Sequence, residues 1–155
     1  MQRYSSPTLE VTMELPDNWH GIENKEFFVD QLKIPADQAE STALILVKIE
    51  GDNVTKYISV THDMELYPDD AAYSEGIDGN KKALEGADCK IQSHQTMQNR
   101  NGFRVDHMMV KAADILMSQY YIHINELLLC FATQVTGKGD NDDNVMANIV
   151  FSLNM

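Results

Sequence analysis

Residues 89–134, CKIQSHQTMQNRNGFRVDHMMVKAADILMSQYYIHINELLLCFATQ, decide the fold of this 155-residue chain. Near the start of the stretch, Asn99-Arg100-Asn101-Gly102 separates two segments of strand-like composition. Asn-Gly accepts the positive φ angles of a tight turn, so it predicts that the flanking strands pair antiparallel. Ala113-Asp114 predicts a second connection of the same kind. We therefore expect four consecutive antiparallel strands over residues 89–97, 103–110, 115–122 and 127–134.

A helix is predicted immediately before these strands. It begins at Pro68-Asp69-Asp70, because an aspartate at a helix start accepts the unpaired N–H groups of the first turn. Apolar residues then recur at spacings of three and four, and Gly86 fits the C-terminal stop. Gly76 and Gly79 each weaken the helix by about 1 kcal/mol relative to alanine, so it needs a sheet to pack against.

Four extended segments are predicted in the first 60 residues. Residues 9–14 alternate between apolar and polar, which is typical of a strand with one face in water. Residues 43–47 form a continuous apolar run rich in β-branched side chains, which favours a strand buried on both faces. The other two segments are predicted over residues 27–34, ended by Pro35, and over residues 54–60.

The C-terminal part is predicted to be a loop followed by a last helix. Gly137-Lys138-Gly139-Asp140 is typical of a loop, and Asp142 or Asp143 caps a helix that presents one apolar face. The order of strands, helix, strands and helix indicates an α+β fold, a largely antiparallel sheet with helices packed on it. Residues 1–155 contain no linker or repeat, so we expect a single domain.

Charge and hydropathy exclude several classes of partner. The chain has 24 acidic and 12 basic residues, and its net charge is −12. Such a field repels phosphate, so neither nucleic acid nor an anionic lipid surface is expected as a partner. The longest apolar run, residues 127–132, is far below the roughly 18 residues that a membrane span needs, so we expect no direct membrane insertion. Residues 1–7 have no apolar signal core, which predicts a cytoplasmic protein, or a protein of the cell envelope if a leader has been removed.

Signals for catalysis and metal binding are few in this sequence. The sequence has no nucleophile elbow, phosphate loop or zinc-binding helix, so we expect no enzyme and no cofactor. His94 and His107 lie on the two arms of the Asn-Gly hairpin and would face each other if its turn spans four residues. A third ligand is lacking, so we expect no metal. Cys89 and Cys130 are too few for a disulfide framework and are interpreted as thiols in apolar segments, with a pairing between them left open.

Methionine is the more informative residue type, with nine in the chain. We predict that Met109, Met117, Gln119 and Tyr121 share one face of adjacent strands, with His107 among them. Methionine fills irregular gaps in cores, and it also builds adaptable apolar binding surfaces. A face that mixes these residues is less apolar than a core. It favours a groove for an apolar helix that carries a few polar groups.

A family resemblance adds to this interpretation. The features that carry it are the opening strand running into Leu15-Pro16-Asp17-Asn18-Trp19, the helix ending in Leu84-Glu85-Gly86, Asn101-Gly102 before a strand pair, Gln119 within Ser118-Gln119-Tyr120-Tyr121, and a terminal helix ending in Phe151-Ser152-Leu153. On these features the chain resembles the PsbP-like α/β/α sandwich superfamily. More narrowly, it is similar to the Eag chaperones, cytoplasmic adaptors of bacterial type VI secretion effectors. Residues 21–60 depart from that family, being longer and more polar.

The resemblance implies a non-enzymatic chaperone that dimerises and shields an apolar, transmembrane-like helix of a secreted effector. Gln119 is the one site residue carried over from the family, whereas the other four residues follow from the shared-face hypothesis. The alternative is an exported PsbP-like protein that binds a ligand or a protein in the cell envelope. Actinobacterial lipoproteins of the LpqN type share the opening from Pro7-Thr8-Leu9 to Trp19 equally well.

Overall fold

The computed structural model describes residues 1–63, 65–135 and 142–155. In chain order its elements are β1 (Gln2–Ser6), β2 (Val11–Leu15), β3 (Trp19–Ile22), α1 (Lys25–Asp30), α2 (Ala36–Ser41), β4 (Thr42–Glu50), β5 (Asn53–His62), α3 (Asp70–Gly86), β6 (Lys90–Gln98), β7 (Arg104–Ala112), β8 (Ile115–Ile124), β9 (Leu127–Val135) and α4 (Asp142–Ser152). The predicted loop at residues 137–140 lies outside the described residues. The side chains of Asp142 and Asp143, the predicted caps of the last helix, lie outside them as well.

The centre of the fold is a seven-stranded sheet with the strand order β3-β4-β5-β9-β8-β7-β6. Every neighbouring pair of its strands runs antiparallel, which confirms the predicted α+β fold. The sheet consists of two meanders, β3–β5 and β6–β9. They are joined by the chain segment that contains α3 and by direct pairing of β5 with β9. β1 and β2 form a separate two-stranded hairpin.

Helices and the small hairpin cover the two faces of this sheet. One face packs against β2 and α4 and holds the largest core cluster, which includes Trp19, Leu44, Leu46, Ile58, Val60, Phe131, Ile149 and Leu153. We call it the α4 face. The other face is covered by α1 at the β4 side and by α3 at the β7–β8 side. We call it the groove face. The layers are therefore those of an α/β/α sandwich.

The hairpin between β6 and β7 differs from the prediction by one residue. Its loop takes in residues 99–103, because Gln98 pairs with Arg104, and Asn99 closes it by accepting from the backbone N–H of Phe103 at 3.0 Å. A shift of one residue turns every side chain of a strand to the other face. His94 therefore lies opposite Met108 instead of His107, and the predicted juxtaposition of the two histidines is wrong.

The predicted extended segment over residues 27–34 is also wrong, because α1 begins before it, at Lys25, and runs into it as far as Asp30. The side chain of Asn24 caps that helix by accepting from the N–H groups of Glu26 and Phe27 at 2.9 and 3.3 Å. The helix buries Phe28 against Ile45 and Val47 of the groove face. Aromatic residues favour strands by composition, but here the cap and the packing partner decide for a helix.

Two short strands, β1 and β3, have no counterpart in the prediction. β1 is mostly polar, and it is held by pairing with β2. The Tyr4 ring of β1 lies over Gly21 of β3, where an added Cβ would come within 2.4 Å of the ring. Tyr4 and Ser6 both donate hydrogen bonds to Glu23. Burial raises the pKa of Glu23, but these hydrogen bonds outweigh it and hold the pKa below its usual value. β1 is therefore held in place by the contact of the Tyr4 ring with Gly21 and by the hydrogen bonds of Tyr4 and Ser6 to the Glu23 carboxylate.

We expect Gly21→Ala and Gly79→Ala to change stability in opposite directions. The first substitution forces the Tyr4 ring away from the sheet and should cost about 1–3 kcal/mol, as overpacking does. The second places a methyl group where nothing lies within 4 Å, in the middle of α3. It should stabilise the protein by about 0.5–1 kcal/mol through helix propensity. Urea denaturation of both variants measures the difference, and equal effects would contradict the close packing of Tyr4 on Gly21.

Candidate partner-binding groove

A groove runs along the groove face between the α1–α2 segment and α3. Its floor is made by side chains of β5, β9 and β8 that point to this face. These side chains form three rows of cross-strand neighbours: Thr61–Cys130–Tyr121, Ser59–Ala132–Gln119 and Gln134–Met117. The α3 helix covers the row of Tyr121, and the other two rows face the opening.

The groove has two neighbouring parts, which are separate cavities. The larger has a volume of about 800 Å³ and the smaller, beside α3, about 320 Å³. Thr61 borders both. Leu32 and Ile34 form the wall on the α1–α2 side, and Ala83 and Leu84 of α3 form the wall of the smaller part. The floor of mixed polar and apolar side chains is therefore bordered on two sides by walls that include apolar residues, next to polar ones such as Gln38 and Asn80.

Exposed apolar side chains mark the open end of the groove. Val54, Tyr57 and Ile115 line it and are 43%, 50% and 45% exposed. They come from strands that are not consecutive, β5 and β8, and both strands begin at this end of the sheet. Single exposed apolar residues are ordinary, but three on one concave surface are typical of an interaction site.

Only three of the five predicted site residues lie in this groove. Met117, Gln119 and Tyr121 do, but Met109 and His107 lie on the α4 face. The register explains this correction. Met117 pairs with Val110 and Gln119 with Met108, so the groove face takes the even-numbered residues of β7, not Met109 or His107. Shared strand composition predicted a common face, but only the register determines which residues share it.

Gln119 is held in place from below by Tyr121. The Tyr121 hydroxyl donates to the Gln119 side-chain oxygen at 2.6 Å. Tyr121 is 4% exposed and packs in the cluster under α3, where burial raises its pKa and keeps it a donor near neutral pH. With its oxygen engaged, the Gln119 amide has its NH₂ group to offer to a partner. Tyr121 thus supports the floor, and Gln119 is the polar contact.

His107 has a structural environment on the α4 face. Its ring stacks on Tyr120 at 4.1 Å, and its Nε2 lies 2.9 Å from the hydroxyl of the buried Ser118. The contact with Ser118 satisfies a buried polar group in the core. These contacts give His107 a structural role in the core, which explains a histidine at this position of β7.

The two cysteines are both free thiols. Cys130 lies in the groove floor between Thr61 and Tyr121. Burial raises the pKa of the Cys130 thiol to about 12. The thiol is therefore protonated near neutral pH and a weak nucleophile. It acts as a small apolar side chain of the floor.

The sequence did not predict that Asp106, beside α3, is a buried carboxylate with several partners. Asp106 is fully buried and accepts hydrogen bonds from Thr96 and His94, both at 2.7 Å. Arg104 lies 3.3 Å away as an ion-pair partner. Lys81 of α3 donates to Nδ1 of His94 at 3.2 Å, which leaves Nε2 to carry the proton toward Asp106. The sequence signal that could have indicated this cluster is an aspartate within a predicted strand, at position 106.

This cluster fastens α3 to the edge of the sheet. Besides Lys81, the helix contributes Ser74, which accepts from Arg104, and Tyr73, whose ring lies 5.1 Å from the Arg104 guanidinium. Burial raises the pKa of Asp106, but its hydrogen bonds from Thr96 and the other partners outweigh it and hold the pKa below the usual value. The wall of the groove is therefore positioned by buried charges as well as by apolar packing.

Two further properties concern membranes and metals. Among the helices of the described ranges, none has the length and apolar character to cross a bilayer. Within residues 1–63, 65–135 and 142–155, no group of three His, Cys, Asp or Glu side chains is arranged to hold a metal ion.

The fold defines a class, the PsbP-like α/β/α sandwich. The chain is similar in structure to the cyanobacterial PsbP protein, CyanoP, of Synechocystis sp. PCC 6803. The TM-score is 0.58 at 12% sequence identity, over 99% of this chain and 91% of that one. At this identity the likeness shows the fold alone. No protein-family model matches the chain, and no curated protein matches it significantly.

We expect Asp106→Asn to destabilise the protein at pH 7 by about 2 kcal/mol, because it weakens a buried network that holds α3. A carboxylate with a lowered folded pKa stabilises above its unfolded pKa of about 4, and this contribution is lost as pH falls through the folded pKa. The difference from wild type should therefore shrink between about pH 4 and pH 2. Urea denaturation across this range measures it.

The exposed Asp78→Asn on α3 is the matched control and should leave stability within about 0.5 kcal/mol of wild type at either pH. An Asp106→Asn variant as stable as that control at pH 7 would show that the buried carboxylate does not hold α3.

Proposed function

We propose that the protein is a non-enzymatic adaptor that binds an apolar segment of a protein partner in the groove between α1–α2 and α3. The observation that carries this proposal is an open groove with Met117 and Gln119 in its floor and Tyr57 exposed at its open end, bordered by Leu32, Ile34, Ala83 and Leu84. A methionine and a tyrosine supply adaptable apolar contact. The amide of Gln119 satisfies a polar group on an otherwise apolar guest.

The size of the groove fits a short helical segment. A helix about 10 Å across that rises 1.5 Å per residue fills roughly 120 Å³ per residue, so about 800 Å³ seats roughly seven residues, or two turns. A transmembrane segment has about 20 residues. One chain would thus shield part of such a segment, and a second copy is needed to cover the rest. This supports a homodimer as the binding unit.

The chemistry of the floor favours binding over catalysis. The Cys130 thiol is protonated near neutral pH, and the other floor residues on this face are uncharged. A catalytic site needs convergent groups with shifted pKa values near the reacting atoms. The buried Asp106 cluster has such groups, but its contacts tie α3 to the sheet.

The resemblance to Eag chaperones extends the proposal to a place of action. The guest would be the transmembrane-like helix of a secreted type VI effector, held in the cytoplasm until export. Shielding is favourable because each Å² of apolar surface removed from water contributes about 25 cal/mol. Gln119 is the family-matched position, and it is among the residues that border the smaller part of the groove.

A second candidate function is an exported PsbP-like protein that binds a small ligand. The groove volume of about 800 Å³ favours it, because pockets for small molecules commonly measure about 300–1,000 Å³. Such a pocket normally buries most of its ligand, whereas this groove is open along one side. For that reason we place the adaptor first.

A synthetic 20-residue helix of Leu, Ala and Gly with Ser-Ser at both ends, labelled with fluorescein, tests the adaptor. Wild type should raise its fluorescence anisotropy saturably. Met117→Asp should weaken binding at least about tenfold, because a charge replaces apolar contact in the groove.

Met109→Asp is the matched control, since Met109 is also half-buried in the neighbouring strand but lies on the α4 face. It should bind as wild type does, after thermal melting has shown that both variants are folded. If wild type does not bind the peptide, or both variants weaken binding equally, the adaptor proposal is refuted.

A further inference from the structure

The larger part of the groove is less negative than the chain as a whole, whose net charge is −12. None of the described residues that line this part is a carboxylate, although the chain carries 24 of them. Lys56 is the one charged residue at that border. It is next to Tyr57 in β5, so strand alternation directs its side chain to the α4 face. The side chains of the larger part that face a guest are therefore uncharged, whereas Asp63 lines the smaller part beside α3.

The immediate rim of the groove is acidic. Among the described residues directly next in sequence to a lining residue, the carboxylates are Asp30, Asp37, Glu40 and Asp114, and all four are exposed. Lys33 and the lining residue Lys56 are the lysines at such positions. Asp37 lies on the α1–α2 wall and Asp114 at the open end, directly before Ile115, whereas Asp30 and Glu40 line a separate cavity formed by α1 and α2. An uncharged trough thus has a negative border on two sides.

We infer that the guest segment is uncharged over about two helical turns and carries lysine or arginine at its ends. The inference rests on the proposed function and specifies its partner. Charges on the rim act over about 10 Å at 0.1 M salt, so they reach the ends of a seated segment but add nothing to its middle. A segment with acidic ends would meet repulsion on the same rim.

Three peptides with one core test this inference. The core is shortened to roughly seven residues of Leu, Ala and Gly, the length that the larger part of the groove seats, and the ends are Lys-Lys, Ser-Ser or Glu-Glu. Anisotropy titrations should give the affinity order Lys, Ser, Glu. The two extremes should differ about tenfold at low ionic strength and less than about twofold near 0.5 M salt, because exposed ion pairs are screened.

Charge reversal separates the rim from the net charge. In Asp37→Lys/Asp114→Lys the preference for Lys-Lys ends should disappear or reverse, whereas the Ser-Ser peptide should bind unchanged. Asp78→Lys/Glu85→Lys makes the same change of net charge at exposed positions of α3 that line neither part of the groove. That control should keep the wild-type order.

The outcomes distinguish this inference from the proposed function. If all three peptides bind equally, or if the control loses the order as well, the inference is overturned, while Met117-dependent binding of the Ser-Ser peptide still supports the adaptor. If no peptide binds, the adaptor proposal fails and the inference fails with it.

Discussion

Four residue pairs between β5 and β9 hold the two meanders of this protein in one sheet. They are Ser59–Ala132, Val60–Phe131, Thr61–Cys130 and His62–Leu129. Side chains alternate along a strand, so the same pairing sends Val60 and Phe131 into the main core and leaves Ser59 and Ala132 in the groove floor. The core and the candidate site are thus opposite sides of one ladder, and neither could form without this contact between distant segments.

The groove exists because the helices of the groove face stop short of each other. α1 buries Phe28 over β4, and α3 buries Tyr73 and Ile77 over the β7–β8 end of the sheet. Between them the floor is too polar to form a core and too apolar to be an ordinary surface. The buried charges around Asp106 fix one wall. Buried ionic networks are sensitive to geometry, so they favour one placement of α3 over others.

The distribution of charged residues around the groove follows neither from the composition of the chain nor from its fold. The chain is strongly acidic, yet none of the described residues that line the larger part of the groove is a carboxylate, whereas Asp37 and Asp114 lie at its border. Such a distribution repels anionic partners from the whole molecule and leaves an uncharged path in the groove. Guest selection by an uncharged floor and a negative rim needs no catalytic group, which agrees with the proposed binding role. The likeness to CyanoP concerns the fold alone.

Local sequence determined the antiparallel strands of residues 89–134, the α3 helix with its Asp69 cap, and the buried β4 strand. Turn residues, caps and apolar periodicity act over a few residues, so they could be read directly. The tertiary structure decided which residues share a face: a five-residue hairpin loop separated His94 from His107, and the β7–β8 register separated Met109 from Met117. It also decided that residues 25–30 form a helix and that Asp106 has partners. Register and partner choice depend on contacts between distant segments, which alternation in one strand does not encode.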